Sequence, residues 1–144
     1  MQRRDFVLAA AAAAFSASAS AQHQHMHGAM AAPAPRKFDA LIPAFQTCMQ
    51  AGQACVVHCN TLLAQGDTSM AECQRNVLDT LAVCQAVATL AGYGSAATGT
   101  FAKQSVPVMQ ACVAACKPHI EHHAECKACH DACVAAIAAV AQLG

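Results

Sequence analysis

The chain has 144 residues, a formal net charge of zero, ten cysteines and no tryptophan; 56% of its residues are hydrophobic and only 11% are charged. One domain is expected at this length, with ample apolar material for a core that small side chains must fill. Balanced charge excludes the basic footprint of a nucleic-acid binder, and no basic amphipathic stretch offers a membrane-surface helix.

Arg3-Arg4-Asp5-Phe6 sets two arginines before an aromatic, an apolar run from Val7 to Phe15 follows, and Ala19-Ser20-Ala21 supplies small residues before Gln22. This pattern reads as a Tat-type signal peptide over residues 1–21, which implies export to the periplasm. The apolar run is well short of the ~20 residues of a membrane span, so the mature protein is not expected to insert in a membrane. Without the signal, six basic residues face seven acidic ones, a net charge near −1. The Tat route carries folded proteins, so the thiols can be buried or metallated before they meet an oxidising compartment.

Residues 22–37 form a low-complexity arm of His, Met, Ala and Pro with too little bulk to pack. His23, His25, Met26, His27 and Met30 there are soft-to-borderline ligands that could catch a metal loosely. The bundle domain is expected over residues 38–144.

Four segments of that domain read as helices. The first runs from Phe38 to Gln65, with Pro43 in its first turns and Gly66-Asp67 at its end. Thr68 or Ser69 is the expected cap of the second, which lasts to Ala91 before the breaker GYGS. A third spans Ala97 to Lys117 with Pro107 as a kink, closed by Pro118, and the last runs from Glu121 to Gln142. No β-branched alternation suggests a strand. Short connections make neighbours antiparallel, so the expected fold is all-α: an up-and-down antiparallel four-helix bundle.

At about 100° per residue, every cysteine falls on a core-facing stripe. Cys48, Cys55 and Cys59 share one face with Leu41 and Leu62; Cys73 and Cys84 lie with Val77 and Thr80. Cys112 and Cys116 lie with Ser105 and Met109, and Cys126, Cys129 and Cys133 with His119, His122 and Val140. Counting from the turns, Cys59 should face Cys73, Cys48 face Cys84, Cys112 face Cys126, and Cys116 face His122. The thiols then line a tube about 16 Å long through a Cys-lined core.

Cysteines at i and i+4 or i and i+3 point to one side of a helix, too far apart at Cβ for an easy disulfide, and a metal between the sulfurs relaxes that requirement. Zinc and iron–sulfur clusters ask for closed sets of four ligands, and the spacing shows no repeated four-ligand unit. Cu(I) is soft, accepts thiolates and can be held by two of them. Its charge also neutralises sulfurs buried in an apolar core.

The signal, the His/Met arm, inward CxxxC and CxxC pairs and a last helix opening HIEHHAECKACHDAC together resemble the bacterial copper storage proteins, in their exported branch. The resemblance covers essentially the whole helical region. It implies a store of multiple Cu(I) ions, about one per core cysteine, often in a homotetramer, with ions passing one end lined by His and Met. Carried onto this chain, the store is Cys48, Cys55, Cys59, Cys73, Cys84, Cys112, Cys116, Cys126, Cys129 and Cys133. The opening is the end holding His119, His122, His123 and Met70, with His122 and then His119 as the histidine ligands. Ser105, Val77 and Thr80 stand at inward levels where fuller members of the family could place a thiol, which implies a lower capacity.

Two other classes compete. An exported helical protein stapled by disulfides and holding no metal fits the even cysteine count, although the spacings of four, seven and eleven do not repeat as matched pairs. A thiol enzyme is not expected: the seven carboxylates after the signal, such as Asp39, Asp79 and Glu121, are scattered, and no nucleophile–base set or phosphate loop is present.

Overall fold

The structure, a computed structural model, describes residues 36–144. The expected signal peptide, and all but the last two residues of the expected arm, lie outside the described residues.

Four helices follow in order: α1 Leu41–Ala64, α2 Ala71–Gly92, α3 Thr98–Cys116 and α4 Ala124–Ala141. Each packs chiefly on two neighbours, α1 and α3 both against α2 and α4, which closes an antiparallel ring. No strand occurs among the described residues. This is the up-and-down bundle the turn spacing implied.

Glycine signals set two of the three turns. Gly66 takes φ +91 after α1, Asp67 N–H donates to the Leu62 carbonyl at 3.0 Å and Gly66 N–H to that of Leu63 at 3.0 Å. The same pair of bonds recurs after α2, where Gly94 sits at φ +66 and Ser95 N–H reaches Leu90. A left-handed residue after the last turn lets the chain fold back on the helix's free carbonyls, and only glycine takes it without strain.

Three boundaries differ from the sequence expectation. The chain from Lys37 to Ala40 forms a turn, so α1 begins at Leu41, and Arg36 ties that start to α2 by donating to the Gly92 carbonyl at 2.7 Å. The side-chain cap in this connection is Asp67, not Thr68 or Ser69, and it caps the 3₁₀ turn Thr68–Met70 that leads into α2: its carboxylate accepts from Ser69 N–H at 3.0 Å and from the Ser69 hydroxyl at 2.6 Å. The third difference is the start of α4, at Ala124 instead of Glu121. Pro118 steers Lys117–His119 into a 3₁₀ turn, and His123 is extended, so three more residues are spent before the helix begins. Pro107 does not break α3, which runs through it although the Lys103 carbonyl loses its helical partner.

The interior changes character along the bundle axis. At the end formed by the starts of α1 and α3 it is apolar and closed: Leu41, Phe45, Val87, Ala91, Ala102 and Ala136 are all buried. Toward the opposite end the core is sulfur. All ten cysteines are fully buried, with Met70 and Met109.

Candidate metal centre

Because α1 carries cysteines at positions 48, 55 and 59, and the other helices carry theirs in the same inward phase, the sulfurs form one connected column. Cys48 Sγ lies 3.4 Å from Cys133, Cys55 lies 3.9 Å from Cys59, 3.9 Å from Cys73 and 3.8 Å from Cys126, and Cys73 lies 3.5 Å from Cys116. Cys112 stands 4.0 Å from Cys116 and 3.8 Å from Cys129. Cys84 joins through Cys48. All ten are free thiols, and even the 3.4 Å pair is far beyond the ~2.05 Å of a disulfide bond.

Three sets of sulfurs lie within 4.8 Å of one another: Cys55, Cys59, Cys73 and Cys126; Cys55, Cys116 and Cys129; and Cys112, Cys129 and Cys133. Cys55 and Cys129 each belong to two sets, so neighbouring sites share ligands. The expected pairs Cys59/Cys73 and Cys48/Cys84 are present. The expected pair Cys112/Cys126 is replaced: Cys112 meets Cys129, and Cys126 meets Cys55. The later start of α4 is the reason, since three residues added to the turn bring Cys129 opposite Cys112. The spacing argument also missed the closed set of four, which three different helices assemble.

The histidines follow from the same shift. His122 precedes α4 in an exposed turn, off the inward face where the sequence placed it, and Cys116 meets Cys73 and Cys112 instead. His119 is half-buried at the thiol end. His123 is drawn in where His122 was expected: its Nδ1 is 2.9 Å from His58 Nε2, and its ring centroid is 6.1 Å from that of His119. His58 Nδ1 in turn lies 3.6 Å from Glu125. His58 is the histidine of this end that the sequence analysis did not place there; its position next to Cys59, the outermost thiol of α1, was the signal. His130 pairs with Asp131 at 2.9 Å. Val77, Thr80 and Ser105 are buried among the thiols as expected. Ser105 donates to the Ala102 carbonyl, whereas the Thr80 hydroxyl has no hydrogen-bond partner.

Burial and mutual hydrogen bonding divide the thiols into proton donors and thiolate acceptors. Bonds from Cys133 and Cys84 pull Cys48 down to about 4, and the bond to Cys48, with burial, pushes Cys84 up. Cys129 is lowered by bonds from Cys112, Cys116 and Cys133. Burial pushes Cys59 up to about 11, with the charge of Cys73 adding to it. A buried row of sulfurs cannot ionise throughout without cations to offset the charge.

The raised thiols predict an alkaline weakness. A thiol that moves from 9.0 to about 11 on folding stabilises the fold fully below pH 9, and that contribution is lost as pH climbs through 11. Urea midpoints of the metal-free protein, followed by circular dichroism, should therefore fall between pH 9 and 11. Metal-loaded protein, whose sulfurs hold metal in place of protons, should keep its midpoint. A metal-free midpoint flat over that range would mean that the folded thiols do not retain their protons.

The copper storage protein family profile matches residues 34–143. Among solved structures the chain is similar to the copper storage protein Ccsp from Streptomyces lividans, determined with 10 copper equivalents loaded: 25% identity, a TM-score of 0.66, and coverage of 74% of this chain and 83% of that one. A comparison with curated proteins finds no match. With the profile spanning the whole bundle and the thiol column at its core, this chain belongs to the copper storage protein family.

Proposed function

We propose that this protein stores Cu(I) on the thiolates of its ten core cysteines, about one ion per sulfur. The observation that carries the reading is the continuity of the column: ten free, buried thiols, nine of which have a neighbouring sulfur 3.4 to 4.0 Å away. Each thiolate can serve two soft ions, and shared members such as Cys55 make the sites one store. Each ion that enters replaces a proton and cancels one sulfur charge, so filling removes the electrostatic penalty that limits ionisation of the empty column. Storage limits free copper in the compartment and keeps it for copper enzymes; the protein itself catalyses nothing in this reading.

Ions pass through the end where His58, His119 and His123 gather beside Glu125, with Met70 behind them and exposed His122 at the rim. Imidazole and thioether bind copper more weakly than thiolate, which suits transfer inward. Arg3-Arg4 would export the folded chain to the periplasm, and fractionation of an Arg3→Lys/Arg4→Lys variant tests that. Assembly as a homotetramer, implied by the family resemblance, is read by light scattering.

The test is anaerobic titration of reduced, metal-free protein with Cu(I) against a tight chelator. Saturation near ten equivalents is expected. Cys→Ala at single positions should lower the endpoint stepwise while the bundle keeps its helicity. Saturation at one or two equivalents, with the thiols unreactive until reductant is added, would make the cysteines a disulfide scaffold and overturn the reading.

A further inference from the structure

The mouthward cysteines differ from the rest of the column in being a closed set. Cys55 and Cys59 come from α1, Cys73 from α2 and Cys126 from α4, and all four sulfurs lie mutually within 4.8 Å. A tetrahedral ion with bonds of about 2.3 Å to sulfur holds its ligands about 3.8 Å apart along each edge. The three edges at Cys55 measure 3.9, 3.9 and 3.8 Å. A two-coordinate ion needs its sulfurs two bond lengths apart on a straight line and has no use for a third or fourth around the same point.

We infer that Cys55, Cys59, Cys73 and Cys126 form a tetrathiolate site for one divalent ion of filled d shell, Zn(II) in the resting protein, distinct from the Cu(I) sites the same sulfurs supply when the store fills. The four sulfurs sit on three packed helices, so binding requires side-chain rotation and no rearrangement of the backbone. Four Zn–S bonds form, every S–H bond still present in the set breaks, and those protons leave to solvent, with no change of oxidation state. The complex carries two negative charges, and a hydrogen-bond donor is at hand: Cys116 lies 3.5 Å from Cys73 and within 4.8 Å of Cys55.

The site has a consequence for the copper store. Four cuprous ions can replace one zinc on the same four thiolates, and the set then goes from two negative charges to none. Zinc would thus hold the outermost thiolates in place and shield them from oxidation until copper arrives, and soft Cu(I) would displace it.

Cobalt(II) reports the geometry directly. Reduced, metal-free full-length protein is titrated with Co(II) without oxygen, in weak buffer with a pH indicator, and Zn(II) is then added. The expected result is intense visible bands of tetrahedral thiolate-bound cobalt with an endpoint at one equivalent, protons released as the ion enters, and bleaching by one equivalent of Zn(II). Cys126→Ser should weaken Zn(II) binding by more than the 10–100-fold typical of lost outer-shell partners, and Cys73→Ser should do the same. Cys84→Ser, toward the closed end, should leave the spectrum unchanged; circular dichroism confirms that each variant is helical. Absence of the tetrahedral bands, an endpoint of two or more ions, or equal loss in Cys84→Ser would each overturn the inference. A parallel Cu(I) titration separates the two readings. Saturation near ten Cu(I) without a cobalt site would remove the zinc site and keep the store, and a cobalt site without copper saturation would do the reverse.

Discussion

Filling the thiol column with Cu(I) should raise the thermal midpoint of the protein by tens of degrees. An ion that binds only the folded chain adds about 2.7 kcal/mol when present at a hundred times its dissociation constant. Ten such sites act on one cooperative bundle, whereas the unfolded chain offers cysteines scattered along a flexible polymer. Unfolded-state binding offsets part of the gain, and a net stabilisation of order 10 kcal/mol remains. At roughly 4 °C or more per kcal/mol for a domain of this size, the shift is large. Circular dichroism melts at zero, two, five and ten equivalents should show midpoints that climb with loading, and a chelator should return them to the metal-free value. A midpoint that does not move with copper would place the ions outside the bundle.

Phe45→Ala should be the most damaging apolar substitution in the metal-free protein. Phe45 is the largest wholly buried side chain among the described residues, in a core made mostly of cysteine, alanine, valine and methionine. Removing a buried phenylalanine costs about 3–5 kcal/mol, a large part of the 5–15 kcal/mol by which a domain is stable. Alanines buried in the same apolar end, Ala91, Ala102 and Ala136, carry no rotatable side chain that could swing in to fill the cavity. Urea titration should show most of the stability gone. Copper should rescue the variant, because the lost contacts lie at the apolar end and every ligand thiol is intact. Phe101→Ala, on a ring already 48% exposed, is the matched control and should shift stability by less than about 0.5 kcal/mol. If Phe45→Ala were as mild as Phe101→Ala, the apolar end would not be the part that holds the empty bundle together.

The bundle was legible in the sequence because its signals are local. Gly66 and Gly94 mark turns that only glycine makes easily, and a cysteine phase set by 3.6 residues per turn survives any error of a residue or two at a boundary. What was not legible depended on the α3–α4 connection. Pro118 announces a stop, but nothing in HIEHH tells how many residues the turn consumes. The difference of three residues moved Cys129 into the place assigned to Cys126 and left His122 in the exposed turn before α4. The closed set of four was hidden for a related reason: its members come from three helices, so no sequence interval contains it. The His58–His123 contact likewise spans 65 positions and leaves no periodic trace.

If ions pass only at the histidine end, as proposed, the apolar end where Leu41, Phe45, Val87 and Ala91 are buried would give the store an order of retrieval. A column with a single opening behaves as a stack: an ion deposited last stands nearest the exit and leaves first. Copper on Cys48, Cys84 and Cys133 would then be the long-term deposit, turned over only when the outer sites are empty. A pulse of isotopically labelled copper given to a half-filled protein should come back out ahead of the unlabelled metal already inside.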